Sequence, residues 1–475
     1  VLPREGSKLN YRLIGFSIGE SPKQPVYNIE VAKGDLKDAA SFLNSIVAVF
    51  ECTGVKNVFE VPSFGTDYTW RVVYPGAKTA GTGKMHHFST LKNEHVDTSL
   101  LRLRVMKPAA IQYREDFVSV DAGGVLYDMK GNPVWFIPDT NGIGGYLGDL
   151  KFTANHTLTF IRGQDAYEIG FDARVLWKAP THSDPHDTSH VRYHHEFTKL
   201  SNGHYMILGT ELVRCKRIKT ADSSYTVVSA NGTTAEGYRI SRFGTLVEYD
   251  SKGRVVWSWK SSEHLIGSDF DYIDDRDSMM RIDPHENAFY FDEKNQTIYL
   301  GFRDLNRFMK IGYPSGKVTG IYGKIFKPGQ RETGSGLFCH QHNILRTHDG
   351  LLCFFNNNSC SNTDSMPTVA MLREPGAPGG ELEKVWEHTC TAEIDSPKKY
   401  ASGGNVAELP DGSFFVCMGS EYSKLFIVNR DGKEQWTALP EKYYETEGRW
   451  RSNHQYRAAI ITRKQYEDLV WSVEQ

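Results

Sequence analysis

The sequence predicts an all-β fold: a six-bladed β-propeller over residues 106–475, preceded by a small β-sandwich over residues 1–105. Three observations carry that expectation. The chain holds 43 glycines with an aromatic share of 12%, a composition that favours strands and tight turns. Two hairpin phrases alternate along most of its length. Their number closes on itself only if both chain ends share one repeat.

The first hundred residues lack the repeat. Tyr68-Thr-Trp-Arg-Val-Val-Tyr and Leu101-Arg-Leu-Arg-Val alternate as strands do, with a turn at Pro75-Gly76. Ala39 to Val49 reads as a short helix. The first repeated phrase follows: Gly124-Val-Leu-Tyr-Asp-Met-Lys-Gly-Asn-Pro-Val-Trp135, again from Thr245 to Trp257, and again from Lys424 to Trp436. Weaker copies end at Trp177 and Trp386, and one from Phe308 to Val318 lacks the tryptophan. Each is an alternating strand, a Gly-bearing turn and a second strand. The second phrase runs from His195 to Leu208, His285 to Leu300, His342 to Phe355, Asn405 to Cys417 and Gly148 to Ile161. Two hairpins make a four-stranded sheet that buries both faces only by radial stacking. Six copies of the first phrase meet five of the second. The missing strand is therefore expected from Asn453 to Thr462, completing the blade begun near Tyr113 and removing an exposed edge.

The net charge of −3 and the lack of any basic block argue against nucleic acid or an anionic membrane as partner. No run is long and apolar enough to span a bilayer as a helix. Seven cysteines leave at least one unpaired in a monomer, and one disulfide among Cys339, Cys353, Cys360 and Cys390 is as plausible as none. Without a CxxC pair a thiolate zinc site is not expected. Asn155, Asn231 and Asn295 each open a glycosylation-type triplet, a pattern too short to argue from.

The repeat sorts the histidines. His195, His285 and His342 each open the second phrase, so in a propeller they approach the axis from different blades. A lone histidine is usually a satisfied structural residue; three in register point to chemistry. Arg303 falls at the far end of the hairpin that His285 opens, which turns back beside it. Imidazoles with a guanidinium suit a tetrahedral group that develops negative charge; the alternative is a strand-end arginine paired with Asp304. His182, His186, His190 and His194 recur every four residues, a spacing that on a helix can bind metal, but Asp184-Pro185 argues against the helix.

These residues resemble the bacterial arylsulfate sulfotransferases that use no nucleotide sulfate donor. The most specific segment runs from His285-Glu-Asn287 through Asp292 to Arg303 and is similar to the family's His-x-Asn … Asp … Arg signature. Gln341-His342 with Phe354-Phe-Asn-Asn-Asn358 resembles the segment carrying the histidine that becomes sulfated, with Asn356 where the family has Asp and Asn358 where it has Gly. Tyr456-Arg-Ala resembles its C-terminal ending. The resemblance implies His342 as nucleophile, His285, Arg303 and His195 as its catalytic partners, and Asn287 and His194 as binding residues. His340, two residues before His342, is a rival nucleophile on the expected same strand face. It further implies ping-pong transfer of a sulfuryl group from an aryl sulfate to a phenol through a sulfohistidine, with no metal and no cofactor. It also implies a periplasmic or secreted location behind a removed signal peptide, and leaves room for a homodimer. The competing readings are a metal-dependent hydrolase or lyase on the same propeller, and a non-enzymatic propeller binding sulfated ligands.

Overall fold

In the computed structural model the described residues are all except 20, 21, 23, 77–82, 94–95, 140–146, 182–191, 218–224, 228–237, 266–268, 270–282, 324–335, 360–365, 378–379, 393–401, 421 and 474–475. Each second phrase followed by a first phrase forms one antiparallel sheet. The first blade comprises Gly148–Phe152, Leu158–Arg162, Asp165–Ile169 and Val175–Lys178, and the second Arg192–Lys199, Tyr205–Arg217, Tyr238–Tyr249 and Val255–Lys260. The third is built from Glu286–Asp292 to Val318–Gly323, and the fourth from Gln341–Arg346 to Glu383–Thr389. The fifth starts at Asn405–Glu408; its outer strand Glu434–Tyr444 extends beyond the blade and pairs with Arg449–Ser452 and Leu101–Lys107. The sixth joins both chain ends, with Ala458–Ile461 paired to Phe117–Val120, followed by Val125–Asp128 and Pro133–Phe136. The inner strand of each sheet lies against the next, and Ala458–Ile461 sits between the first and fifth blades, so the fold is a propeller.

The recurring tryptophan has a physical role that the sequence left unexplained. Buried indole N–H groups need acceptors, and here the acceptor is a carbonyl of the next blade. Trp135 donates to Phe171 O (2.7 Å), Trp257 to Pro314 O (2.8 Å), Trp386 to Arg430 O (2.8 Å) and Trp436 to Met129 O (3.1 Å). Trp177 stacks on Tyr205 of the second blade, with ring centroids 3.8 Å apart. Each first phrase that ends in tryptophan therefore carries its own tie to the following repeat.

Among residues 1–90, one sheet is ordered Ser7–Leu9, His86–Thr90, Asp67–Val73, Tyr27–Lys33, Ile46–Cys52, and Leu13–Ser17 pairs with Lys56–Glu60. Phe16 fills the space between them, 5.2 Å from Trp70 and 6.5 Å from Phe50 between ring centroids. The segment read as helical from Ala39 to Val49 is helical only over Ala39–Asn44, capped by Asp38, whose carboxylate accepts the Ser41 N–H. From Ile46 the β-branched run Ile-Val-Ala-Val takes over as a strand. A helix not foreseen, Arg463–Val473, seats Tyr466, Leu469 and Val470 in the core shared with Leu13, Ile14 and Phe16.

Candidate active site

Histidines reach the axis through irregularities at the start of the inner strands. In the third blade Glu286 pairs with Phe302 and Ala288 with Gly301, so Asn287 is an extra residue; in the fourth, His342 pairs with Phe355 and Ile344 with Phe354, leaving Asn343 extra. In the second, three residues from His194 to Glu196 stand against one. Such bulges bend a strand and re-aim side chains. Counted back from the residue that ends each bulge, His195 and His342 are two positions away and His285 is three, so the expected common register does not hold for His285. Backbone turns compensate: His195 and His285 have φ of 62° and 55°. For non-glycine residues that geometry costs about 1–2 kcal/mol each, and such strain clusters at functional sites.

The rings converge around His195. Its centroid is 5.2 Å from His285, 6.0 Å from His342 and 5.8 Å from Tyr456. His194 Nδ1 lies 2.6 Å from His195 Nδ1, a contact that needs one proton between them. His342 is 2% exposed and held at both nitrogens: Nδ1 is 2.7 Å from Gly404 O and Nε2 is 2.6 Å from the Tyr456 hydroxyl. A carbonyl only accepts, so Nδ1 carries the hydrogen and the Nε2 lone pair faces the tyrosine O–H.

His340 is placed differently. Its φ of 49° breaks the extended alternation before Gln341–Arg346 begins, which corrects the expectation that it shares a face with His342. Its Nδ1 lies 3.0 Å from Ser359 Oγ and its Nε2 3.9 Å from Asp304. Asn287 is fully buried and donates to Gln341 O at 2.8 Å, tying the third blade to the fourth. Arg303 donates its backbone N–H to His285 O at 2.9 Å, and its guanidinium meets Asp304 at 2.6 Å. The arginine is thus ion-paired with Asp304, and its backbone lies beside His285.

Two residues at this centre are legible in sequence only as part of a C-terminal ending, which assigns them no role. Tyr456 and Arg457 enter from the segment that closes the ring, their backbone N–H groups donating to Asp121 at 3.1 and 2.7 Å. The Arg457 guanidinium, 4% exposed, donates to Asp149, to Glu196 at 2.7 Å and to Asn287 O at 3.2 Å. It thereby joins the first three blades to the sixth. Lys151 adds a second cation on the same carboxylates, 2.9 Å from Asp149 and in contact with Glu196.

This environment keeps the imidazoles neutral. Burial, then the charge of Arg457, hold His342 well below the ordinary 6.5. Burial, then His194 and His285, do the same for His195. Burial and His285 bring His194 down to about 4. Burial lowers His285 as well, but Asp304 and Asp283 oppose the shift. A cleft of about 500 Å³ opens over the group, lined by His194, His195 and His285 together with Arg192, Arg242 and Asp283. His342 does not line this cleft, and its Nε2 faces the Tyr456 hydroxyl.

Among the described residues no group of three His, Cys, Asp or Glu side chains is arranged to hold a metal ion, and His182, His186 and His190 lie outside them. Cys339 is in a disulfide, whereas Cys52, Cys353, Cys390 and Cys417 are buried and free.

A propeller with a histidine cluster at one end of its axis defines a class with many chemistries. The narrower assignment comes from the sequence: residues 103–374, more than half of the chain, match the arylsulfotransferase (ASST) family model. The chain belongs to that family and is an arylsulfotransferase. The matched stretch holds His195, His285, Arg303 and His342, and ends before Tyr456 and Arg457. No curated protein matches the chain. Similar solved structures include a Bacteroides caccae protein of unknown function (12% identity, 73% of this chain and 99% of that one, TM-score 0.43). Others are an auxiliary nutrient binding protein from Bacteroides thetaiotaomicron (11%, 98% and 94%, 0.36) and the Cps50 (Swd1) β-propeller domain of Myceliophteria thermophila (8%, 64% and 95%, 0.32).

Proposed function

We propose that the protein moves a sulfuryl group from an aryl sulfate to a phenol in two steps through a sulfated His342. The observation that carries this reading is the fixed tautomer of His342. Because Nδ1–H is committed to the Gly404 carbonyl, Nε2 keeps a lone pair in a neutral ring. Nε2 attacks sulfur, the N–S bond forms, the S–O(aryl) bond breaks, and the electron pair leaves on the phenolate oxygen. The ring becomes cationic, and the Gly404 carbonyl already faces the hydrogen whose positive charge grows. Tyr456 covers Nε2 in the free protein, so a bound donor must displace its hydroxyl, which is then placed to donate to a sulfuryl oxygen.

Sulfuryl oxygens need positioning and charge stabilisation more than covalent help. Arg303 and the neutral ring of His195 fit those tasks. His285 suits the proton. Carboxylates oppose its pKa depression, whereas His195 has only positive or potentially positive neighbours among its causes of shift. His285 takes the proton of the acceptor phenol as that oxygen attacks sulfur, and returns it to the next leaving phenolate. In this reading residues 106–475 carry the chemistry, with no metal or nucleotide. The Cys339 disulfide supports an oxidising compartment, periplasmic or external.

The test is covalent labelling. Incubation with 4-nitrophenyl sulfate alone should add one sulfuryl group, with label retained in His340→Asn and lost in His342→Asn. Initial rates at varied donor and acceptor should give parallel double-reciprocal lines. Transfer that continues in His342→Asn, or label that disappears with His340→Asn instead, rules the mechanism out.

A further inference from the structure

The cleft over the histidines carries two cations that the transfer step does not use. Arg192 pairs with Thr210, Thr210 pairs with Gly244 on its other side, and Leu212 pairs with Arg242. Residues directly opposite in an antiparallel sheet share a face, as do residues two apart on one strand. Arg192, Thr210, Gly244 and Arg242 therefore share one face of the second blade. That face looks onto the third blade, since a Cβ added at Gly244 would fall 2.6 Å from the Glu286 side chain. Two strand spacings across and two residues along place the two arginine Cα atoms about 12 Å apart, near enough for long side chains to converge on one small molecule.

Neither guanidinium has an ion-pair or hydrogen-bond partner among the described residues, and both are exposed. One carboxylate of the cleft, Asp283, lies near enough for the charge of Arg242 to act on it; the remaining titratable groups carry little opposing charge. Asp283 accepts the backbone N–H of His285 at 3.0 Å, burial pushes Glu286 up to about 7, and His194, His195 and His285 are held toward their neutral forms. Arg192 stands three residues before His195 on the same strand, at most about 10 Å along it. The cleft thus offers two exposed guanidinium groups on the approach to the imidazoles, spaced to match the width of a substituted aromatic ring.

We propose that Arg192 and Arg242 select aryl substrates carrying a second anionic group, a carboxylate or a further sulfate, on the ring away from the reacting oxygen. The planar, fork-like donors of arginine fit such oxyanions. This assignment rests on the sulfotransferase reading for its biological meaning, but the ligand chemistry can be tested without turnover. The probes are benzenesulfonate, with one anionic group, and 4-sulfobenzoate, with two; neither can transfer. By calorimetry the wild-type protein should bind 4-sulfobenzoate at least tenfold more tightly than benzenesulfonate. Arg192→Gln and Arg242→Gln should each narrow that ratio, and the double variant should bring it close to one. A wild-type ratio near one, or a ratio that survives in the double variant, overturns the proposal.

The kinetic arm uses 4-nitrophenyl sulfate with phenol or 4-hydroxybenzoate as acceptor. The kcat/KM ratio should favour 4-hydroxybenzoate in the wild type and fall toward one in the double variant. No transfer to either acceptor would sink the sulfotransferase reading and leave the binding ratio to decide the arginine pair.

Discussion

At the scale of single residues, Arg457 is the most consequential side chain at the axis. Its guanidinium satisfies Asp149 and Glu196, both buried, and a carbonyl of the third blade. Removing one member of such a set leaves uncompensated charge, a loss of about 3–5 kcal/mol, far more than a surface pair contributes. Arg457→Met should lower the unfolding free energy, read from urea titration, by that amount without changing the fold class. Arg457→Met with Glu196→Gln should be less destabilised than Arg457→Met alone, since Lys151 still balances Asp149. Additive losses in unfolding curves would show that the pair is not coupled. The Tyr456-Arg-Ala ending is recognisable, but nothing local in the sequence tells what this arginine pairs with, because Glu196 and Asp149 stand 261 and 308 positions before it. The histidines were legible for the opposite reason: each opens a repeated phrase, and the repeat supplies the third dimension.

At the scale of elements, hairpins and turns could be read and bulges could not. A hairpin is announced by local alternation and a Gly-bearing turn. Whether Asn287 or Asn343 becomes an extra residue depends on which pairs form across the strand, and His285 slipped one position from the expected register on that account. For the same reason His340 and His342 look equivalent in sequence, yet a positive φ at His340 turns one ring toward Asp304 and leaves the other beside Tyr456. The start of the fifth blade offers a test of how tightly this geometry is held. Gly404, at φ 86°, gives its carbonyl to His342, and a Cβ there would fall 2.5 Å from the Phe355 ring and 3.0 Å from Cys417 O. Gly412 has nearly the same φ, 80°, with its nearest neighbour 4.0 Å away at Arg430. Gly412→Ala should cost about 1 kcal/mol through backbone strain alone. Gly404→Ala should cost more and, if His342 is the nucleophile as proposed, reduce transfer at least tenfold, because that ring is anchored there. Equal stability losses in denaturant titrations, with activity retained in both, would separate the Gly404 backbone from the site.

At the scale of the whole molecule, the ring closes where the imidazoles meet, so the charge state of the axis and the stability of the fold are linked. His194 shows the sign most plainly. Its folded pKa is about 4, against an ordinary 6.5. Above 6.5 neither folded nor unfolded chain protonates it. Between 6.5 and 4 the unfolded chain binds a proton that the folded chain refuses, so stability falls as pH falls. The loss from this one residue approaches about 3 kcal/mol by pH 4. His195, His285 and His342 shift in the same direction and add to it. Buried Glu286, raised to about 7, works against them, because the folded chain holds its proton more tightly than the unfolded one. The total slope is therefore a difference of opposed contributions, and a variant comparison isolates the histidine term. His194→Asn cannot titrate. Its stability deficit against the wild-type chain, measured by urea unfolding, should shrink by about 3 kcal/mol between pH 7 and pH 4. The other groups are present in both proteins, and losing the His194 charge only relaxes the shift of His195, so a deficit that stays constant across that range would mean that His194 takes up its proton as readily in the folded chain as in the unfolded one.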